Sequence, residues 1–210
     1  MSGSSNADFR QRVAISTDAL PWVARGGFSE RLLELAPDRF TALFQLPAGA
    51  TVPLAPDGYF DLLILDGALR DLHGRHPART FIRDRAGTVL TSEAATVLIK
   101  QRFHGRPPPQ RTDTTRSPFR PSYDGYVGVE FADLIRDDTG AVVLMRLVPD
   151  ASIPTHRHDL GEEFFVLAGS LTDERGTYSA GDWVRQPPLS EHSITSEQGA
   201  LTFIFAHHLA

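Results

Sequence analysis

Pro154-Thr-His156-Arg-His158-Asp-Leu-Gly161-Glu162-Glu-Phe164-Phe-Val166-Leu-Ala-Gly169 is the stretch on which the reading of the fold turns. In an extended strand successive side chains alternate between faces, so His156 and His158 point the same way. Asp159-Leu160-Gly161 has the composition of a tight turn. Glu162 re-enters on the next strand with Phe164 and Val166 on its face, while Glu163, Phe165 and Leu167 face the other side. Two imidazoles and a carboxylate on one wall suit a hard-to-borderline divalent metal. His192, beyond the strand and turn Gly181-Asp-Trp-Val-Arg-Gln-Pro-Pro188, supplies a fourth candidate ligand. A single histidine is more often a surface or core residue than a ligand. Four residues spaced so that they can converge are a different observation.

The same scaffold occurs twice. Gly67 to Arg83 aligns without a gap on Gly169 to Arg185. The pairs Gly67/Gly169, Leu69/Leu171, Asp71/Asp173, Gly74/Gly176, Ala78/Ala180 and Arg83/Arg185 are identical. Upstream, Leu46 to Pro53 resembles Val148 to Pro154, and Leu62 to Leu65 falls on Phe164 to Leu167. The first copy lacks the polar cluster. Phe60 stands opposite Glu162, Ala55 and Pro56 or Asp57 opposite the two histidines, and no histidine matches His192. The scaffold therefore does not need those four residues in order to fold. The Asp71/Asp173 and Arg83/Arg185 pairs, present in both copies, read as structural.

Val142 to Val148, Phe164 to Leu167 and Leu201 to Phe205 are short apolar runs punctuated by Gly and Pro, the pattern of an all-β sandwich or barrel. Phe28 to Leu35 is the one stretch of helical character, with Ser29 as its N-cap. Gln101 to Pro121 carries Pro107, Pro108, Pro109, Pro118, Pro121 and five arginines. That composition excludes a helix interior or a central strand and predicts an extended linker.

These motifs resemble the cupin superfamily, in particular the ChrR-like cupins. The first cupin motif runs His-x-His, three or four residues, Glu, six residues, Gly, and His156, His158, Glu162 and Gly169 meet it in full. The second fits at Gly181, Pro187 and His192, but has Leu189 where Gly is expected and Ser196 where Asn is expected. The resemblance implies two tandem jelly-roll cupin barrels: a degenerate, metal-free barrel over residues 1–100, a linker over 101–121, and a metal-binding barrel over 122–210. It further implies one divalent metal ion (Fe(II), Zn, Mn or Ni) on His156, His158, Glu162 and His192. Similar cupins include Fe(II) dioxygenases that cleave a C–C bond in β-diketones and hydroxyacetophenones, so cleavage of a small ketone or diketone is the expected activity. Phe164, Val166 and Met145 would wall the pocket, and Arg146 or Arg185 would hold an anionic substrate. The alternatives are a regulatory or sensor cupin and a non-redox binding or isomerase cupin. In ChrR-type anti-sigma factors a helical zinc-holding domain precedes the cupin. This chain has no cysteine and no such helical unit, which argues against sigma binding.

Composition narrows the classes further. The 210 residues are 41% hydrophobic with a formal net charge of −5, a globular composition without the basic footprint of a nucleic-acid binder. The missing cysteines exclude disulfides and thiolate chemistry. No stretch is long and apolar enough for a signal peptide or a membrane span. The expected setting is cytoplasmic, with a small-molecule substrate, no nucleic-acid or membrane partner, and a monomer or homodimer.

Overall fold

The computed structural model describes residues 5–122, 125–207 and 209. It is almost entirely antiparallel strand, in two compact units with one sheet each. The first unit contains β2 (Val23–Ala24), β3 (Ser29–Ala36), β4 (Arg39–Leu46), β5 (Tyr59–Asp71), β6 (Gly74–Pro77), β7 (Thr80–Arg85), β8 (Thr91–Arg102) and β9 (Gln110–Asp113). The second contains β1 (Val13–Ser16), β10 (Arg120–Pro121), β11 (Val127–Asp137), β12 (Gly140–His158), β13 (Glu162–Asp173), β14 (Gly176–Ser179), β15 (Asp182–Gln186), β16 (Ser190–Ser196) and β17 (Ala200–Ala206). Each is a jelly-roll barrel whose inner face is a continuous apolar cluster. Phe40, Phe60, Leu62, Ile64, Ile82, Val97 and Ile99 fill the first. Val143, Met145, Phe164, Val166, Leu171, Val184 and Ile204 fill most of the second.

Three expectations change. The stretch expected to be helical, Phe28 to Leu35, lies almost wholly in strand β3, paired with β4 from Ser29↔Gln45 to Ala36↔Arg39. Glu, Arg and Leu favour a helix locally, but pairing and burial override that preference; fully buried Glu34 meets Lys100 Nζ at 3.3 Å. The expected linker is mostly sheet. Residues through Arg102 finish β8, Gln110–Asp113 add β9 to the edge of the first sheet beside β7, and Arg120–Pro121 pair with β11. Pro107, Pro108, Pro109 and Pro118 lie outside these strands, and Pro121 is in the short edge strand β10, where a missing N–H is tolerated. The units are also not contiguous in sequence: residues 1–7 and 20–116 form one, residues 8–19 and 117–210 the other.

That division has a simple topology. The segment preceding each repeat adds a strand to the sheet of the other repeat. β1 pairs with β15, and β9 pairs with β7. A short 3₁₀ turn follows each strand (Thr17–Ala19 and Thr114–Arg116). Thr17 donates its hydroxyl to the Gly181 carbonyl at 2.6 Å, and Thr114 donates to the matching Arg79 carbonyl at 2.6 Å. The duplication is thus longer than the aligned segment. Gly67 and Gly169 mark the same bend in both copies, at φ +72° and +69°. A Cβ there would lie 1.8 Å from the Ala94 oxygen and 2.0 Å from the Gly199 oxygen, so only glycine fits.

Candidate metal centre

The second unit gathers His156, His158 and His192. The two histidines of β12 sit near its end, beyond a bulge between Ile153 and His156, and His156 lies directly opposite His192 of β16. Ring centroids are 4.8 Å apart for His156 and His158, 4.7 Å for His156 and His192, and 4.9 Å for His158 and His192. Their ligating atoms all fall within 4.8 Å of one another, the one such cluster found among the described residues. The Nε2 atoms of His158 and His192 approach to 2.9 Å. Two nitrogens about 2.1 Å from one metal and at right angles are separated by about 3.0 Å, so this pair is spaced as neighbouring ligands on a metal.

Each ring also has a polar neighbour at Nδ1. Nδ1 of His156 lies 3.1 Å from the Pro154 carbonyl, which accepts its proton. Nδ1 of His158 faces Glu162 Oε2 at 3.7 Å. Nδ1 of His192 lies 3.1 Å from the Gln186 amide nitrogen and 3.7 Å from Asp173 Oδ2. For His156, whose Nδ1 donates to a carbonyl, Nε2 is the atom left to coordinate. Burial lowers the affinity of all three rings for a proton. His158 and His192 are each brought down to about 4, and the neighbouring His158 and His156 rings add to the effect on His192. His156 is lowered too, again chiefly by burial. All three are therefore neutral at pH 7, the form that binds metal.

Glu162 opens β13, opposite Gln186 and Ala206. It borders the three-histidine cluster without belonging to it. Its side chain is 12% exposed, and burial pushes its carboxyl up to about 7. A carboxylate in that setting wants a cation beside it. The donor set, three neutral imidazoles with an under-compensated carboxyl next to them, fits a divalent ion.

Of the expected pocket residues, Met145, Phe164 and Val166 lie in the inner cluster. Arg146 and Arg185 do not face inward. Arg146 points away from the barrel interior, 47% exposed, to pair with Glu130 at 2.6 Å. Arg185 sits opposite Glu163 on the outer face of β13 and β15, over the Phe9 ring, and donates to the Asp8 and Gln11 carbonyls. The bulge before His156 explains the first correction. It shifts parity, so odd-numbered residues of β12 line the interior up to Ile153 and even-numbered ones do so at His156 and His158. The sequence reading also missed Tyr126, whose ring centroid is 6.0 Å from that of His156. With Arg120, Phe131, Asp133, Arg136 and His207 it helps to line an adjacent cleft of about 660 Å³. No spacing links Tyr126 to the histidine motif.

The two motif departures are resolved locally. Leu189 adopts φ 66°, the left-handed conformation expected of glycine, and its N–H donates to the His158 carbonyl at 2.7 Å. Ser196 donates its hydroxyl to the Ser170 carbonyl at 2.6 Å, tying β16 to β13. In the first barrel Phe60 is fully buried. Gln101 receives a hydrogen bond from the Ala55 amide and donates to the Ala55 and Asp57 carbonyls at 2.8–3.0 Å. That amide holds the loop standing where the second barrel has its histidines.

A jelly-roll barrel with an inward histidine triad of this spacing defines a cupin. Residues 108–210 match the family model of the ChrR cupin-like domain, and the chain has the cupin fold. Solved structures agree on the fold. A proposed dioxygenase from Nostoc punctiforme has a TM-score of 0.78 at 17% identity, with 95% of this chain and 84% of that chain covered. A proposed glyoxylate-induced protein from Pseudomonas aeruginosa has a TM-score of 0.74 at 11% identity, over 96% and 89%. Oxalate decarboxylase of Bacillus subtilis, described with Mn(II) centres, has a TM-score of 0.65 at 12% identity, over 94% and 77%. No curated relative matches the sequence. No described helix is long and apolar enough to cross a membrane.

Proposed function

We propose that this chain is a metal-dependent cupin enzyme that binds one divalent ion in its second barrel, through His156, His158 and His192 with Glu162 as fourth ligand. Its reaction on this reading is oxygen-dependent cleavage of a C–C bond in a small ketone or diketone. The observation that carries the reading is the convergence of three neutral imidazoles, with two Nε2 atoms 2.9 Å apart. When bound, an iron(II) ion supplies Lewis acidity and the one-electron chemistry that O2 requires. The protein supplies the rest. Neutral rings present lone pairs without competing protons, and the Glu162 carboxylate offsets one positive charge. Phe164, Val166 and Met145 make the wall behind the site apolar and exclude water from it. Tyr126 stands where the neighbouring cleft meets His156. Likeness to the Nostoc protein, at 17% identity, agrees in fold and lends the oxygenase reading its direction.

The match to the ChrR cupin-like domain favours a second reading, a sensor cupin that binds a small molecule without converting it. One experiment separates the two. Iron(II)-loaded protein is given a panel of β-diketones and hydroxyacetophenones while O2 uptake and products are followed. Stoichiometric O2 uptake with cleaved products, absent in His158→Ala, is the expected result. Ligand binding without turnover across the panel would overturn the enzyme reading in favour of the sensor.

A further inference from the structure

We propose that Asp173 is a positioning residue of the metal centre, and that the N-terminal segment takes part in that centre through Arg12. The inference rests on the metal reading above and concerns the back of His192. A ring that coordinates through Nε2 carries its proton on Nδ1, and that proton needs an acceptor. In the metal-free ring Nδ1 accepts from the Gln186 amide N–H at 3.1 Å, and the same amide nitrogen donates to Asp173 Oδ2 at 3.3 Å; that oxygen, 3.7 Å from Nδ1, is the acceptor to which an Nδ1–H would turn once Nε2 is coordinated.

Asp173 is held firmly. Its Oδ1 accepts from the Arg175 amide at 2.7 Å, the Gly176 amide at 3.1 Å and the Tyr178 hydroxyl at 2.8 Å. Its Oδ2 receives Arg12 Nη2 at 3.3 Å, and Arg12 also bonds the Tyr178 hydroxyl. The Asp173 side chain is 0% exposed, and Gln186 is likewise wholly buried. Arg12 immediately precedes β1, the edge strand contributed by the chain before the first barrel.

The first barrel provides the internal comparison. Asp71 occupies the equivalent place, accepting from the His73 amide at 2.7 Å and contacting His76 at 2.8 Å. Arg111 bonds its Oδ2 at 2.6 Å and also bonds Asp84 at 2.6 Å. Both sheets therefore use an arginine in or just before the added edge strand to hold this aspartate, which is a structural job. One difference between them bears on the metal site. Phe60 pairs with Asp84 where Glu162 pairs with Gln186, so the second carboxylate has become an amide. In the metal-free barrel the arginine is shared between two acids. In the other, a neutral amide bridges the single acid to the histidine. In the second barrel Asp173 is thus the one carboxylate behind His192, and the neutral amide holds its Oδ2 on the Nδ1 side of the ring.

The test compares Asp173→Asn with Asp71→Asn in the full chain, using Mn(II) titration and the visible spectrum of Co(II)-loaded protein, with melting temperature followed throughout. Asp173→Asn should weaken Mn(II) binding by about 10- to 100-fold and shift the Co(II) bands. Asp71→Asn should lower the melting temperature while leaving affinity within about twofold. Should Asp173→Asn fail to fold, Gln186→Leu reports on the same relay and should weaken binding in the same direction. Wild-type affinity in both Asp173→Asn and Gln186→Leu, or equal weakening by Asp71→Asn, would overturn this inference alone. A wild-type chain that binds neither ion would overturn the metal reading as well.

Discussion

At the scale of single residues, the metal-free site is a set of ionisable groups that burial has pushed off their ordinary values, and each shift has a sign. Glu162 is raised from 4.5 to about 7. Its contribution is favourable below pH 4.5 and is lost as pH rises through 7, because the unfolded chain ionises first. His158 is lowered from 6.5 to about 4. Its contribution is intact above pH 6.5 and is lost as pH falls toward 4, because the unfolded chain takes the proton first. Metal-free protein is therefore squeezed from both sides. Glu162→Gln should stabilise it at pH 8, by roughly 1–3 kcal/mol, and leave it unchanged near pH 4, while weakening metal binding. Thermal melts of both proteins in chelator across pH 4–8.5 check this; a Glu162→Gln variant less stable than wild type at pH 8 would refute it. The four candidate ligands were legible in the sequence because three of them lie within seven residues of one another, from His156 to Glu162. The facing of Arg146 was not, because a bulge between Ile153 and His156 breaks the alternation from which facing is counted.

At the scale of elements, two local devices bear on stability. Leu189 holds the turn into β16 at φ 66° with a side chain 61% exposed. A leucine there carries left-handed backbone strain with no burial to offset it. Leu189→Gly should raise stability by about 1 kcal/mol and leave metal affinity unchanged, as measured by denaturant unfolding and metal titration. In the first barrel, Gln101 ties β8 to the loop at Ala55 and Asp57 through three hydrogen bonds. Gln101→Ala should cost about 1–2 kcal/mol, since it removes three hydrogen bonds to partly buried loop backbone. Unfolding equal to wild type would show that the loop needs no such tie. The misreading of Phe28 to Leu35 belongs to this scale too. Its residues favour a helix in isolation, and only the pairing with β4 and the buried Glu34–Lys100 contact make it a strand.

At the scale of the whole molecule, a duplicated barrel carries one histidine cluster and an exchange of edge strands. The duplication was visible in sequence because Gly67 to Arg83 and Gly169 to Arg185 keep one constant spacing. The exchange was not. The partners of β1 lie more than 160 residues away, and four-residue edge strands such as Val13–Ser16 and Gln110–Asp113 have no periodicity that would betray them. Deleting residues 1–19 should therefore destabilise the second barrel although it removes the start of the chain. Hydrogen exchange should show loss of protection in β15 ahead of β7, and the reverse order would contradict the assigned pairing. The central claim is that one barrel is a metal site and the other a filled scaffold, with Phe60 in place of Glu162 and a loop held by Gln101 in place of the two histidines. Its most direct test is metal content per chain, measured by elemental analysis after loading with Fe(II) or Mn(II) and desalting, for wild type and His158→Ala. The account predicts one ion per wild-type chain and almost none in the variant. Two tightly bound ions per chain, or full occupancy in His158→Ala, would contradict it.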